Sequence, residues 1–103
     1  VRPGSAAVAE LGSVMPLIEI YTKATCGFCH LAKRLLRAKG AAFTEIDLHA
    51  HPERRSEMIA RANQRTTVPQ IFIDGRHVGG WDDLKRLDRA GQLGGLVDEE
   101  LQQ

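Results

Sequence analysis

The chain has two cysteines, Cys26 and Cys29, separated by Gly27 and Phe28. When such a segment forms a helical turn, this spacing brings the two sulfur atoms within reach of a disulfide bond. The unpaired amide groups and the positive dipole end at a helix N-terminus favour a thiolate over a thiol. Cys26 lies where a helix is expected to begin, and Lys23 adds a positive charge nearby. We therefore expect Cys26 to act as a nucleophile and Cys29 to resolve the mixed disulfide that Cys26 forms.

Three other interpretations of the cysteine pair have to be weighed. The first is an idle structural pair, but idle buried cysteines have no reason to lie between a strand and a helix. The second is half of a four-ligand zinc site, for which the other candidates are His30, His49 and His51. The third is haem attachment, because Cys26–His30 matches Cys-x-x-Cys-His and Met58 is available as an axial ligand. The histidine spacing does not support zinc, and helix phasing places His30 on a solvated face, so we favour redox chemistry.

A strand, a helix and a second strand surround the cysteine pair. Residues 17–22 are short, β-branched and aromatic, which is typical of a strand. From Phe28 onward, apolar residues at 28, 31, 32, 35 and 36 form the stripe of an amphipathic helix that ends at Gly40. Residues 42–47 alternate at period two and predict another strand. This βαβ unit predicts parallel strands joined by a right-handed crossover.

The rest of the chain predicts a hairpin between helices. The predicted elements are a helix beginning near Pro52 with apolar Met58, Ile59 and Ala62, strands over 70–73 and 76–79, a helix beginning at Trp81, and a short helix over 96–101. Asp74-Gly75 is a strong hairpin signal between the two strands, and Asp82 and Asp83 suit a helix N-terminus. The order β-α-β-α-β-β-α predicts an α/β fold, a four-stranded mixed sheet flanked by helices.

A second group of chemically informative residues is Thr67-Val68-Pro69, just before the third predicted strand. A proline there is usually a device for beginning a strand. Together with a Cys-x-x-Cys pair on a βαβ unit, it resembles the cis-proline loop of thioredoxin-like proteins. A cis bond would turn the backbone of Val68 towards Cys26, where it could pair with an extended peptide-like ligand.

Length and composition limit the classes of protein to consider. A chain of 103 residues is one domain, and its net charge of +1 lacks the basic excess of a nucleic-acid binder. No apolar run approaches the roughly 18–20 residues that a membrane-spanning helix needs. Residues 1–14 are small, weakly polar and aperiodic, so we expect a flexible remnant of an expression vector rather than a secretory signal, with a single domain over 15–103.

Three separated motifs in the right order resemble the glutaredoxin family, and most closely the small dithiol glutaredoxins of bacteria. They are Tyr-Thr-Lys-x-x-Cys-x-x-Cys at 21–29, Thr-Val-Pro-Gln-Ile-Phe-Ile at 67–73 and Gly-Gly-Trp-Asp-Asp-Leu at 79–84. The resemblance covers essentially residue 15 to the C-terminus. It implies a thioredoxin fold and glutathione-dependent reduction of disulfides, above all glutathione mixed disulfides.

The resemblance also implies roles for individual residues. Cys26 and Cys29 would be the nucleophile and the resolving thiol. The residues that would bind glutathione are Lys23, Phe28, Thr67, Val68, Pro69, Gly80, Trp81 and Asp82. Lys23 would hold the glycine carboxylate, the Val68 backbone the glutathione cysteine, and Asp82 the α-ammonium group. Either Arg55 or Arg65 would also reach the glycine carboxylate, and the sequence leaves the choice open.

Two departures from the family pattern bear on function. Gly27 stands where the dithiol motif usually has proline, and Trp81 stands where many members have a third cysteine. Some members with a small residue at the first position bind a [2Fe-2S] cluster between two chains and two glutathiones, which makes Cys26 a candidate iron ligand and a cluster carrier the alternative function. Otherwise we expect no tightly bound cofactor. We expect a cytoplasmic monomer, a dimer only if cluster-bound, that acts with glutathione on glutathionylated or disulfide-containing proteins and not on nucleic acid or membranes.

Overall fold

The computed structural model of the protein describes residues 16–93. Its elements, in chain order, are β1 (Ile18–Thr22), α1 (Gly27–Ala38), β2 (Thr44–Asp47), a 3₁₀ turn (Pro52–Arg54), α2 (Arg55–Arg61), β3 (Gln70–Ile73), β4 (Arg76–Gly79) and α3 (Trp81–Arg89). This order confirms the predicted succession of strands and helices as far as α3. The predictions for residues 1–14 and for a helix over 96–101 lie outside the described residues.

The four strands form one mixed sheet in the order β2-β1-β3-β4. β1 and β2 are parallel, as the βαβ prediction requires, whereas β1 and β3 are antiparallel. β3 and β4 form the antiparallel hairpin predicted from Asp74-Gly75, and both turn residues have positive φ, 52° and 80°. Because α1 follows central strand β1, its N-terminus lies at the end of the sheet where β1 stops.

Apolar side chains cover both faces of the sheet, because alternate residues of a strand point to opposite sides. One buried cluster joins the sheet to α1 and α3, and its members are Ile18, Ile20, Ala32, Leu36, Ala41, Ile71, Ile73, Leu84 and Leu93. The other lies on the opposite face beneath α2, and its members are Tyr21, Ile46, Leu48, Met58, Ala62 and Phe72. The two clusters hold α1 and α3 on one side of the sheet and α2 on the other.

Three details differ from the sequence prediction. The second strand begins at Thr44 rather than at residue 42, because its pairing with β1 starts where Glu19 meets Thr44. The proposed stripe of α1 is displaced: Cys29, Ala32 and Leu36 are buried, whereas Phe28 is 60% exposed and Leu31 37%. Pro52 begins a 3₁₀ turn that leads into α2 rather than α2 itself.

Within residues 16–93, no helix is both long enough and apolar enough to cross a membrane.

Candidate active site

Cys26 is the N-cap of α1, in extended backbone conformation with φ −95° and ψ 111°. Its Sγ accepts a hydrogen bond from the backbone N–H of Cys29 at 3.1 Å. The Cys26 N–H in turn donates to the carbonyl oxygen of Lys23 at 3.2 Å, which closes a tight turn between β1 and the helix. The sulfur of Cys26 therefore occupies the position in which a side chain caps a helix N-terminus, where negative charge is stabilised.

The two cysteines have different surroundings. Cys26 is partly exposed, whereas Cys29 is completely buried in the first turn of α1. Burial, reinforced by the hydrogen bond between the two side chains, raises the pKa of the Cys29 thiol to about 12. Cys29 is therefore held as a neutral thiol at physiological pH, and Cys26 is the cysteine that a substrate in solution can reach.

The peptide bond between Val68 and Pro69 is cis, as in the thioredoxin-like loop that Thr67-Val68-Pro69 resembles. The loop approaches the helix N-terminus, and the carbonyl oxygen of Val68 lies 3.7 Å from Cys26 Sγ. Pro69 is buried and Thr67 is exposed. The backbone of Val68 thus forms one wall of the space beside the Cys26 sulfur, although the two residues are 42 positions apart in the sequence.

A groove of about 260 Å³ runs along this loop. Its lining includes Phe28, Thr67, Val68, Pro69, Gly80, Trp81 and Asp82, together with Arg65 and Asp83. The structure thus gathers every predicted glutathione-contact residue except Lys23 around one groove. Lys23 lies next to it in the turn that receives the Cys26 N–H. The sequence did not settle whether Arg55 or Arg65 would reach the glycine carboxylate. In the structure Arg65 lines the groove, whereas Arg55 lies in α2 and is exposed.

Asp83 also lines the groove, although the sequence predicted for it only a favourable interaction with the positive N-terminus of a helix. It occupies the third position of α3 and accepts the backbone N–H of Gly80, the N-cap, at 2.9 Å. The same carboxylate oxygen lies 3.1 Å from Arg65 Nη1. The Gly80 hydrogen bond, aided by Arg65, lowers the pKa of Asp83. Asp83 therefore fixes both Gly80 and Arg65 at the edge of the groove.

One sequence signal could have revealed this arrangement. An acidic residue three positions after an N-cap is the signature of a capping box. Gly79 has φ +125°, and a Cβ at this position would collide with the Asp83 carboxylate, so a glycine is needed there for both reasons. Asp82 differs from its neighbour because its side chain is 82% exposed, and its charged partner among residues 16–93 is Lys85, at 3.5 Å. The Asp82 carboxylate therefore lies open to solvent at the groove.

The residues invoked for zinc or haem have other surroundings. His30 is exposed, as predicted, and its Nε2 lies 3.2 Å from the carbonyl oxygen of Ala24. Met58 is completely buried in the core beneath α2, so its sulfur is packed among apolar side chains. Within the described range 16–93, no three His, Cys, Asp or Glu residues are grouped so as to hold a metal ion.

Comparisons with known proteins agree with this geometry. The family model described as Glutaredoxin matches residues 18–78. Glutaredoxin 3 of Escherichia coli (strain K12) is 53% identical over 83 residues, which cover 81% of this chain and 99% of that protein. The crystal structure of a buckwheat glutaredoxin–glutathione complex superposes with a TM-score of 0.73 at 28% identity, over 82% of this chain and 78% of that one.

A further solved structure is the holo form of glutaredoxin C1 from Populus tremula × tremuloides. It has a TM-score of 0.71 at 27% identity and covers 80% of this chain and 83% of that one. These similarities, together with the sheet order and the three helices described above, confirm the predicted thioredoxin fold.

Proposed function

The chain belongs to the glutaredoxin family of thiol–disulfide oxidoreductases, and on that premise we propose that it uses glutathione to reduce glutathione mixed disulfides. The observation that carries the proposal is the place of Cys26 Sγ, 3.7 Å from the carbonyl oxygen of Val68, a residue that lines the groove. A reactive sulfur beside the backbone of a groove-lining loop suits a disulfide whose one half is a short peptide. Glutathione is such a peptide.

The proposed reaction begins with the thiolate of Cys26. It attacks the glutathionyl sulfur of the mixed disulfide, so that the Cys26–glutathione bond forms as the original S–S bond breaks. The substrate protein leaves as a thiolate and takes up a proton from water. A second glutathione, as thiolate, then attacks the glutathionyl sulfur on Cys26. Glutathione disulfide is released and the Cys26 thiolate returns. The sulfur of the incoming glutathione has been oxidised to the disulfide level as the sulfur of the substrate protein was reduced to a thiol, and the original glutathionyl sulfur stays at the disulfide level.

The groove offers complementary groups for each end of glutathione. We propose that the Val68 backbone pairs with the central cysteine, that Asp82 binds the α-ammonium group, and that Lys23 attracts the glycine carboxylate. The exposed carboxylate of Asp82 and the place of Lys23 in the turn before Cys26 support this orientation. Arg65, which pairs with Asp83 beside Gly80, lies at the α3 end of the groove with Asp82. The glutathione complex of buckwheat glutaredoxin supports the choice of ligand.

Cys29 enters only when the substrate is a protein disulfide. Its thiol then attacks Cys26 Sγ, releases the second substrate sulfur, and leaves a Cys26–Cys29 disulfide that glutathione reduces. Since the pKa of Cys29 is raised to about 12, this step requires that a departing thiolate or solvent accept the Cys29 proton. We therefore propose that the route through Cys26 alone is the main one for glutathione mixed disulfides.

The test is reduction of a small glutathione mixed disulfide, followed as NADPH consumption through glutathione reductase. Cys26→Ser should abolish turnover, because it removes the only sulfur that the route needs. Cys29→Ser should retain it and lose only the reduction of protein disulfides. Comparable loss of turnover in a folded Cys29→Ser variant would contradict the monothiol route, and no turnover by the reduced wild-type protein would contradict glutathione specificity itself.

A second candidate function is the carriage of a [2Fe-2S] cluster, with Cys26 as the iron ligand. A Cβ built at Gly27 meets nothing within 4 Å, so the surface beside the partly exposed Cys26 sulfur is open. A second chain and two glutathiones would supply the other thiolates. Anaerobic reconstitution with iron, sulfide and glutathione should then give a coloured dimer, and Gly27→Pro, which stiffens this corner, should weaken it. A colourless monomer would eliminate this candidate.

We propose the cytoplasm as the place of the reaction, since thiols there are kept reduced by a glutathione pool. The partners that follow are glutathione and proteins carrying glutathionylated or disulfide-bonded cysteines. We propose a monomer for the oxidoreductase, because its site is formed within one chain.

A further inference from the structure

A series of side-chain hydrogen bonds joins the edge strand β4 to the loop of the cis proline. His77 Nε2 lies 2.7 Å from Gln70 Oε1, and Gln70 Nε2 donates to Thr67 Oγ1 at 3.3 Å. On the outer side, Asn63 Nδ2 lies 3.1 Å from His77 Nδ1. We call these four residues the His77 network. It ends on the residue immediately before Val68, the residue whose backbone faces the reactive sulfur.

Burial gives the network its direction. Gln70 is completely buried, so its amide has no access to water and needs partners for both its oxygen and its nitrogen. With the Gln70 nitrogen donating to Thr67, the Gln70 oxygen must accept from His77 Nε2. A neutral His77 then accepts from Asn63 at Nδ1. Each side chain thereby fixes the rotation of the next one.

The surroundings of His77 keep its ring in place and neutral. The ring lies 5.1 Å from the buried ring of Phe72, tilted by 34°, and the Arg61 guanidinium covers the Phe72 ring at 4.2 Å. Burial, followed by the charge of Arg65, lowers the pKa of His77, and Asp83 acts in the opposite direction. A protonated ring would present a donor at Nδ1 to the Asn63 amide nitrogen, so the outer hydrogen bond in this arrangement requires a neutral ring.

We propose that His77 is a positioning residue for the substrate-binding loop 67–69: through Gln70 it holds Thr67, and hence the Val68 backbone, in the orientation that receives the glutathionyl group. His77 is not among the residues that line the groove, so it acts through its neighbours and not by contact with substrate. The catalytic consequence rests on the glutathione-dependent function proposed above. The structural part of the proposal, that the His77 network orders the loop, is independent of that function.

The first experiment compares His77→Phe, which keeps an aromatic ring against Phe72, with His77→Gln, which restores a donor near Nε2. For reduction of a small glutathione mixed disulfide, His77→Phe should raise KM about fivefold, the effect of one net hydrogen bond, at unchanged kcat. His77→Gln should recover most of that loss. Arg76→Gln, an exposed neighbour on β4, is the matched control and should behave as wild type. An unchanged KM in folded His77→Phe would overturn the proposal.

A double-mutant cycle tests the route through Thr67. Thr67→Val removes the hydroxyl at the far end of the network, so His77→Phe should add little to KM in that background. Additive effects would show that His77 acts by another route and would overturn the proposal. If His77→Phe does not fold, Asn63→Gly is the alternative variant, because glycine suits the backbone φ of 55° at this position. It removes only the outer hydrogen bond and should raise KM about twofold. An unchanged KM in Asn63→Gly would count against the proposal.

A measurement without glutathione separates this inference from the proposed function. Backbone order parameters of the Thr67 and Val68 amides, measured by nitrogen NMR relaxation, should be lower in His77→Phe than in wild type. If wild type shows no glutathione-dependent turnover but the order parameters fall in the variant, the proposed function fails and the ordering role of His77 stands. Equal order parameters in the two proteins would overturn the ordering role, whatever the turnover.

Discussion

At the scale of single residues, the two cysteines show how position changes the chemistry of identical side chains. Cys26 is the N-cap of α1 and its sulfur is partly exposed beside Val68. Cys29, one turn further along, is completely buried. A nucleophile must be ionised and reachable, and a resolving thiol has only to reach its neighbour. The difference in burial therefore supports the two roles proposed for Cys26 and Cys29.

The raised pKa of Cys29 predicts selective alkylation. At pH 8 about one Cys29 thiol in ten thousand is a thiolate, given a pKa of about 12, and burial hinders access as well. Iodoacetamide should therefore modify the reduced native protein once, at Cys26. Mass spectrometry of the intact protein and of its peptides checks this. Cys26→Ser should remain unmodified until it is unfolded, and rapid native labelling of Cys29 would contradict the buried neutral thiol.

At the scale of elements, the beginning of α3 shapes one end of the groove. Asp83 accepts the Gly80 N–H and pairs with Arg65, whereas Asp82 projects into solvent. Adjacent aspartates in the same helical turn therefore differ in purpose: Asp83 stabilises the helix end, and we propose that Asp82 binds the ligand. Substitution of each in turn separates stability from binding.

Asp83→Ala should lower the free energy of unfolding by about 1 kcal/mol, the usual cost of a lost helix cap, which is about 4–8 °C in Tm for a domain of this size. Asp82→Ala should leave the free energy of unfolding within about 0.5 kcal/mol of the wild-type value. Because it removes the proposed partner of the α-ammonium group, it should still lower kcat/KM for a glutathione mixed disulfide about fivefold. Thermal unfolding and steady-state kinetics on both variants check the pair; a stability loss in Asp82→Ala alone would reverse the assignment.

At the scale of the whole molecule, two apolar clusters on opposite faces of one sheet hold the site together. Leu36 is completely buried in the cluster that joins α1 to the sheet, whereas Leu31 is 37% exposed on the same helix. The N-terminus of α1 carries Cys26, so packing of this helix also sets the position of the reactive sulfur.

Leu36→Ala should therefore lower the free energy of unfolding by about 2–5 kcal/mol, because it leaves a cavity in the core. Leu31→Ala, the matched control, should cost well under half of that. Urea unfolding of the two variants measures the difference directly. Equal losses would mean that the exposed side of α1 is covered in solution, contrary to its exposure here.

The pH dependence of stability should have two phases. Burial, followed by Arg65, lowers the pKa of His77 from its ordinary 6.5, so the unfolded chain binds the proton more tightly than the folded one. The stability from His77 is complete above pH 6.5 and is lost as pH falls through the lowered folded value. His77→Gln, which has no proton to bind there, should flatten this phase when the free energy of unfolding is measured at a series of pH values.

The second phase belongs to carboxylates. The Arg54 hydrogen bond lowers the pKa of Glu57 from 4.5, and the Gly80 N–H lowers that of Asp83 from 3.8. Their contribution is present above those ordinary values and disappears as pH falls through the lowered ones. His77→Gln should leave this acid phase unchanged, and its disappearance in that variant would contradict the assignment of the two phases.

Features that depend on short-range signals could be predicted from the amino-acid sequence alone. The spacing of Cys26 and Cys29 follows from one helical turn, the β3–β4 hairpin from Asp74-Gly75, and the start of α3 from the acidic residues that follow it. The order of the elements could be predicted because hydrophobic periodicity and turn residues act over a few positions. The ends of strands and the buried face of a helix depend on contacts with distant parts of the chain. For this reason the predicted start of the second strand at residue 42 and the predicted burial of Phe28 were wrong.

Contacts between residues that are distant in the sequence could be read only from the three-dimensional structure. Val68 comes beside Cys26 across 42 positions of sequence, Arg65 reaches Asp83 across 18, and the His77 network joins two strands to a loop. Such contacts arise from how the sheet pairs and how helices pack on it, and no local pattern encodes them. The burial that separates Cys29 from Cys26 has the same origin: the sequence supplies two equal thiols, and the packing of α1 on the sheet makes them different.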